Sequence, residues 1–512
     1  MLLGIDFGTT RTVVAAVDRG NYPVISFHGE GGDTSQWYPS IIAARAGELA
    51  FGLDAASRQN DPEWMILRSF KRGLAALGPE SKIELGGRVL TSLELLTSFL
   101  AQLRRDLYER SNLRAGPEEG IEAMISVPAN SNSNQRFITM EAFRRAGFSV
   151  RGMINEPSAA GIEYAHHYSN RNPSSRREYM IVYDLGGGTF DSSVISIAEQ
   201  RHEVVSSEGI SELGGDDFDN LLLELALGEA GAGEIPGQAR VRLLEECREK
   251  KEGLHSNTRR IAIDLGRVID GAGEIVVSAT EFYDRCRPLV ERTIEAMEAS
   301  VAHLPAAGET DWRSVAAIYL VGGSSDLPII ARMLRERYGR QVRKSPYPHA
   351  ATAIGLAIAG DQEAGYHLRE RFTRHFGVWR EAEEGHSITI DVLFEKGTLL
   401  PEGGGDRLTR SRRYRPAHNI GHFRYIECGR VDERGQPTGD IAPWDEIYFA
   451  FDPSLEGESR LQSVPVARAD HGEQLIEEVY SVDEHGIIEV EIINHTGQYR
   501  RGYKLRAAGS LP

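Results

Sequence analysis

Two rhythms of apolar and polar positions run along this chain, and they change over near residue 360. In the first part, short apolar runs end in glycine clusters and alternate with stretches of helical spacing. Residues 2–17 predict strand, turn, strand: an apolar start, then Asp6-Phe7-Gly8-Thr9-Thr10, then Thr12-Val13-Val14-Ala15-Ala16-Val17. Residues 180–197 repeat that syntax, with Met180-Ile181-Val182-Tyr183, Asp184-Leu185-Gly186-Gly187-Gly188-Thr189, Asp191 and the run Val194 to Ile197. Asp6 and Asp184 stand 178 residues apart, the mark of two duplicated halves. Each half adds a second pattern. Ala123-Met124-Ile125-Ser126-Val127-Pro128 predicts a strand, followed by a helix through Arg136, Met140 and Phe143, and another helix opens at Asn155-Glu156-Pro157. In the second half Ile318-Tyr319-Leu320-Val321 enters Gly322-Gly323-Ser324-Ser325, and a helix over 328–338 follows; 240–254 and 280–303 carry helical spacing as well.

Beyond a polar break at Gly360-Asp361-Gln362-Glu363-Ala364-Gly365, strand-length alternations separated by Gly, Pro and Asp take over, at 387–394, 446–451, 475–482 and 486–493. The reading is residues 1–360 as one α/β unit, 361–375 as a linker and 376–512 as an all-β sandwich. The run Arg410-Ser411-Arg412-Arg413-Tyr414-Arg415 reads as a solvated loop.

Composition narrows the classes. A chain of 512 residues, 41% hydrophobic and 26% charged, is long enough for several cores and has no apolar run of membrane-spanning length. The start meets an aspartate at residue 6 with no basic region before it, so no signal peptide is expected. Three cysteines, Cys247, Cys286 and Cys428, are too few and too scattered for a disulfide framework or a zinc site, and a reducing cytoplasm is the expected home. A net charge of −17 disfavours nucleic acid and anionic membrane as partners.

Both glycine turns join two strands, which argues against a P-loop or a Rossmann turn, where a helix N-terminus receives the phosphate. A glycine hairpin instead lets successive backbone N–H groups approach a polyphosphate, with the hydroxyls of Thr9, Thr10 and Thr189 as further donors. An aspartate at the head of such a turn would repel phosphate unless a cation lay between them. Asp6 and Asp184 therefore imply Mg²⁺, held mostly through water.

These residues carry a family resemblance. Gly4-Ile5-Asp6-Phe7-Gly8-Thr9-Thr10, Val127-Pro128-Ala129, Asn155-Glu156-Pro157-Ser158-Ala159-Ala160, Asp184 to Asp191, Leu213-Gly214-Gly215-Asp216-Asp217-Phe218-Asp219 and Val321-Gly322-Gly323-Ser324 resemble the heat-shock 70 kDa (DnaK-type) chaperones, in order over residues 1–360. Leu393 to Pro401 and Asp483 to Val490 are similar, more loosely, to that family's peptide-binding sandwich. The resemblance implies a two-lobed, duplicated actin-like ATPase followed by an all-β sandwich. It implies an ATP-dependent chaperone that binds unfolded or extended polypeptide and works with J-domain and nucleotide-exchange co-chaperones. Carried over, Asp6 and Asp184 anchor the magnesium waters; Gly8, Thr9, Thr10, Gly186, Gly187, Gly188 and Thr189 hold the phosphates of ATP or ADP. Lys71, Glu156, Asp184, Asp191 and Thr189 form the catalytic set, and Gly214, Gly215, Lys251, Gly322 and Gly323 complete the nucleotide contacts.

The adenosine side departs from the family. Arg248 falls where the family has a ribose-binding glutamate, Glu252 where it has a basic residue, His255 where it has serine, and Asp326 where an arginine stacks on adenine. Weaker or rearranged base binding is expected. The linker lacks the family's acidic, leucine-rich run, leaving Leu368 and Phe372 as its apolar contacts, and no helical lid follows the sandwich before Pro512. An actin-like scaffold or a nucleotide sensor with weak ATPase activity stays open as the alternative.

Overall fold

The computed structural model describes all residues except 30–31, 60, 74–76, 117, 169–178, 199–200, 232–234, 236, 270–271, 303–311, 383–385, 403–404, 469–472 and 505–512. The glycine hairpins become the central strands of two lobes. In the first lobe, β1 (Leu2–Phe7) and β2 (Arg11–Ala16) form the antiparallel pair. Strand β3 (Tyr38–Pro39) lies outside β2. The short helix α1 (Phe70–Gly73) comes next, then β4 (Glu122–Val127), α2 (Ser133–Arg145), β5 (Ser149–Asn155) and α3 (Glu156–Tyr168). The sheet order is β5-β4-β1-β2-β3, with β4 and β5 added in parallel to β1.

The second lobe repeats this. Strands β6 (Tyr179–Leu185), β7 (Phe190–Ala198) and β8 (Arg201–Ile210) form a meander. Helices α4 (Gly215–Ala230), α5 (Gly237–Glu252) and α6 (Ala279–Val301) precede β9 (Val315–Val321), α7 (Pro328–Tyr338), β10 (Val342–Lys344) and α8 (Ala351–Gly360). The order β10-β9-β6-β7-β8 reproduces the first lobe strand for strand. The halves meet where α3 crosses α8. A Cβ on Gly355 would lie 1.8 Å from the Ala159 carbonyl oxygen, so only glycine allows helices this close.

The sequence between Asp361 and Arg374 is structured. Residues His367–Arg369 form β11, which joins β8 in parallel as the sixth strand of the second-lobe sheet. Three residues are too few to show a strand period in the sequence. Leu368, with Ala364 and Tyr366, packs against the cluster that joins the lobes around Val13, Ile162 and Ile358, whereas Phe372 stacks on Phe394 at 5.3 Å. Leu368 and Phe372 thus serve opposite ends of the linker.

The β-rich remainder has two four-stranded sheets. Strands β12 (His375–Ala382), β13 (Ser387–Phe394), β14 (Leu408–Tyr414), β15 (Ile420–Val431), β16 (Pro437–Ala450), β17 (Ile476–Val482), β18 (Ile488–Asn494) and β19 (Tyr499–Lys504) pair in the orders β13-β12-β15-β16 and β14-β17-β18-β19. Phe376, Val378, Phe423 and Tyr425 from one sheet meet Ile476, Tyr480, Val482 and Val490 from the other. The arginine run expected as a loop is instead mostly the edge strand β14, paired with β17 from Leu408↔Val482 to Tyr414↔Ile476. Its period of two places Leu408 and Tyr414 against the core, and acids answer its charges: Arg412 reaches Asp391 at 2.8 and 3.0 Å, and Arg413 reaches Glu477 at 2.8 Å.

The sandwich is docked on both lobes through buried polar groups. Glu427, 3% exposed, accepts from the Ser133 amide at the N-terminus of α2 at 3.2 Å and pairs with Arg374 at 3.6 Å. Arg136 donates to the Asn155 side chain and, at 3.2 Å, to the His485 carbonyl. Asn155 in turn donates twice to Glu370, at 2.9 and 2.6 Å. Arg371 ties β8 to the sandwich, bonding the Val204 carbonyl at 2.8 Å, the Glu203 carboxylate and the Gly397 carbonyl at 2.6 Å.

His202 lies in β8 under this dock, 2% exposed, with its ring stacked on Tyr366 at 5.6 Å. Burial pushes its pKa down to about 4. A histidine whose docked pKa lies below its free value of about 6.5 takes up a proton when released. Docking of β11 should therefore be at full strength above about pH 6.5 and weaken as pH falls toward 4. Amide exchange across residues 366–369 between pH 7.5 and 4.5 checks this, and His202→Phe should flatten the profile.

Candidate functional site

A cavity of about 320 Å³ opens between the lobes, and the two hairpin tips form its floor. They are packed against each other with no room for side chains. A Cβ on Gly187 would lie 2.1 Å from Thr10 Oγ1, and one on Gly214 would lie 2.5 Å from the Gly188 amide nitrogen. The amides of Gly215 and Asp216 donate to the carbonyls of Gly186 and Gly187 at 3.0 and 2.8 Å, tying the start of α4 to the second turn. Gly322 closes the floor with φ of +80°, and a Cβ there would stand 2.4 Å from Asp184 Oδ1.

Lys71, on α1, projects into this floor. Its ammonium donates to Glu156 at 2.6 Å and to the Phe7 carbonyl, with the side chains of Lys71 and Glu156 9% and 13% exposed. Ser69, two residues earlier, has a left-handed φ of +53° and donates to Asp216 at 2.5 Å. That backbone turn aims α1 at the cavity, and strain of this kind gathers at functional sites. Glu156 opens α3, where Pro157 needs no hydrogen-bond partner for its nitrogen.

Three aspartates surround the pair. Burial and then the Glu156 charge push the Asp6 carboxyl up to about 7, against the pull of Lys71 and of Ser126, which donates to it at 2.7 Å. Burial, followed by Glu156, Asp191 and Asp6, drives Asp184 well above the usual carboxylate range. Asp191, accepting from the Asn130 amide at 3.2 Å, is pushed up to about 7 by burial and then Glu156. Four carboxylates facing one ammonium leave an excess of buried negative charge, which a divalent cation would neutralise. The residues therefore fit Mg²⁺ beside a polyphosphate. Among the described residues no three His, Cys, Asp or Glu side chains are grouped to hold an ion directly.

Asp6, Gly8, Thr9, Thr10, Lys71, Glu156, Asp184, Gly186, Gly187, Thr189, Gly215, Lys251, Gly322 and Gly323 line the cavity together. Asp191 lines a small neighbouring pocket with Thr189 and Lys71 instead, and Gly188 and Gly214 form the packing behind the tips. Away from Lys71 and Glu156 the lining also includes Glu252 and Asp326, with Arg248 beside them. Arg248 is spent on Asp216 at 2.7 Å, Asp219 at 3.3 Å and Glu245 at 3.4 Å. Lys251 is bound to Asp219 at 2.6 Å and the Gly215 carbonyl at 2.7 Å. Asp326 pairs with Lys344 at 2.8 Å. His255 does not line the cavity; it bonds locally to Thr258 at 3.0 Å.

Sequence reasoning missed Arg11, Trp37 and His349, which complete this part of the lining. No local motif marks them, because they come from separate elements. Ion pairs cross from lobe to lobe: Arg11 to Glu252 at 2.5 Å, Arg68 to Glu245 at 3.0 Å and Arg72 to Asp217 at 3.6 Å.

A model of the Hsp70 protein family matches residues 77–371, more than half of the chain. The matched stretch begins after the first hairpin and Lys71. It takes in Glu156, the turn from Asp184 to Asp191, α5 and the turn at Gly322, and ends at Arg371.

Proposed function

The chain belongs to the Hsp70 family, and from that premise we propose that its cleft binds and hydrolyses ATP with Mg²⁺ and that its sandwich binds unfolded or extended polypeptide. The supporting observation is the packed pair of glycine tips with Lys71 held 2.6 Å from Glu156 among three aspartates, two of them buried. In this reading the backbone amides of both tips and the hydroxyls of Thr9, Thr10 and Thr189 bind the phosphates. Asp6 and Asp184 would hold Mg²⁺ largely through water, and the ion would neutralise charge on the phosphates. Lys71 stabilises charge on the γ-phosphoryl group, while Glu156 and Asp191 orient the water whose oxygen bonds to phosphorus as ADP departs. Such chemistry needs positioning and charge neutralisation more than covalent help.

J-domain and nucleotide-exchange proteins are the partners proposed with this role. No described helix is long and apolar enough to cross a membrane. The three cysteines are free and buried, which suits the proposed cytoplasmic home.

Coupling between nucleotide and peptide should be modest. Swinging a two-state protein from 1:99 to 99:1 takes about 5.5 kcal/mol of differential binding. Of the linker's apolar side chains Leu368, Tyr366 and Ala364 pack on the ATPase side, and burying Leu368 is worth roughly 1.5–3 kcal/mol before ordering entropy. Peptide off-rates measured with ADP and with ATP should differ by less than about a hundredfold, equivalent to about 2.7 kcal/mol. A larger ATP effect that survives Leu368→Asp would refute the linker argument. No peptide binding in either state would remove the chaperone reading and leave a scaffold or nucleotide sensor.

A further inference from the structure

The cavity between the lobes has two chemically different ends. The hairpin tips make one end rich in backbone donors, with Lys71 beside them and carboxylates that call for a cation, which is where phosphates would lie. A nucleotide held there must place its base at the other end, among Arg11, Trp37, Glu252 and Asp326.

Most cations at that end are already committed. Arg248 answers three carboxylates and its side chain is 12% exposed; Lys251 is 6% exposed and tied to Asp219 and a carbonyl. Arg11 differs. Its guanidinium carbon lies 4.3 Å from the centre of the Trp37 ring, it is 26% exposed, and one nitrogen contacts Glu252 Oε2 at 2.5 Å. A planar cation layered on an indole is a flat platform matched to a heteroaromatic ring. Glu252 is 40% exposed, and among the described residues it makes no ion pair other than that with Arg11. Its second oxygen is left for a ligand donor.

Resting on the reading of this cleft as a nucleotide site, we propose that Arg11 with Trp37 stacks the base, that Glu252 reads its edge, and that the cleft accepts guanine nucleotides as readily as adenine nucleotides. The chemistry is specific. Guanine presents two adjacent N–H donors that suit a carboxylate, whereas adenine sets its single amino group beside a bare ring nitrogen that a carboxylate repels. Asp326, 49% exposed, adds acceptor character to the same end. The pair also spans the lobes, with Arg11 on β2 and Glu252 closing α5, so base and cleft closure meet at one contact.

The test is calorimetric titration of the full chain with ADP and with GDP, each with Mg²⁺. The two dissociation constants should agree within about tenfold. In Glu252→Gln the amide can both donate and accept, so the ratio should shift at least about tenfold toward ADP, with thermal unfolding unchanged. In Arg11→Leu both nucleotides should weaken together. A hundredfold preference for ADP in the parent, or a ratio that Glu252→Gln leaves unmoved, overturns the assignment while leaving the nucleotide site itself intact. Absence of binding by either nucleotide overturns the cleft reading and this assignment with it.

Discussion

Lys71→Ala is expected to lower ATP turnover by at least about a hundredfold while the chain stays folded. Lys71 supplies the one ammonium among the described residues that sits between Glu156 and the three aspartates, 2.6 Å from the glutamate and 9% exposed. A buried donor aimed at charge that develops during phosphoryl transfer is worth about 2.7–4 kcal/mol, because little water remains to screen it. The same substitution removes the charge that opposes crowding of the four carboxylates, so substrate phosphates would meet a more repulsive floor. Single-turnover hydrolysis separates that loss from a change in affinity, and circular dichroism checks the fold. Parental turnover in Lys71→Ala would end the assignment of this lysine to the reaction.

Arg136→Ala should release the sandwich from the first lobe. Arg136 is 6% exposed and faces Glu370, Glu427 and Asp483. Burial holds the carboxyls of Glu370 and Glu427 above the usual range, and Arg136 is one of the groups that pull them back. Removing one partner from a buried charged set typically costs about 3–5 kcal/mol, since the remaining charges stay desolvated and unanswered. That exceeds what the neutral hydrogen bonds at this contact return, at about 0.5–1.5 kcal/mol each. Amide exchange should rise in residues 133–155 and 483–487, and the stretch 361–374 should become open to proteolysis. Nucleotide affinity should change little, because Arg136 does not line the cleft. Arg136→Met serves as the volume control: if it keeps the sandwich docked, packing and not charge holds the contact.

What was legible in the sequence was local. The hairpins at Asp6 and Asp184 showed themselves because strand alternation and glycine turns are short-range signals, and each half repeats them. Helix α7 has the bounds its pattern predicts, since Pro328 starts it and Gly339, at φ of +62°, ends it. Strand β13 likewise spans the eight residues of its alternation. The catalytic candidates could be named because each belongs to such a turn or helix start, or in the case of Lys71 to a short matching motif.

Tertiary structure alone decided the rest. The arginine run became an edge strand because Leu408 and Tyr414 found a core and Asp391 and Glu477 answered the charges, all from distant segments. His367–Arg369 became a strand because β8 had a free edge, which no three-residue window can announce. Ser69 turned left-handed where its hydroxyl meets Asp216, 147 residues away. Arg11 met Glu252 across 241 residues, and the base-facing end of the cleft followed from that meeting. Periodicity and turn chemistry act over a few residues and select elements. Which charges and faces meet depends on chain closure over hundreds of residues, and that is settled only when two lobes and a sandwich pack together.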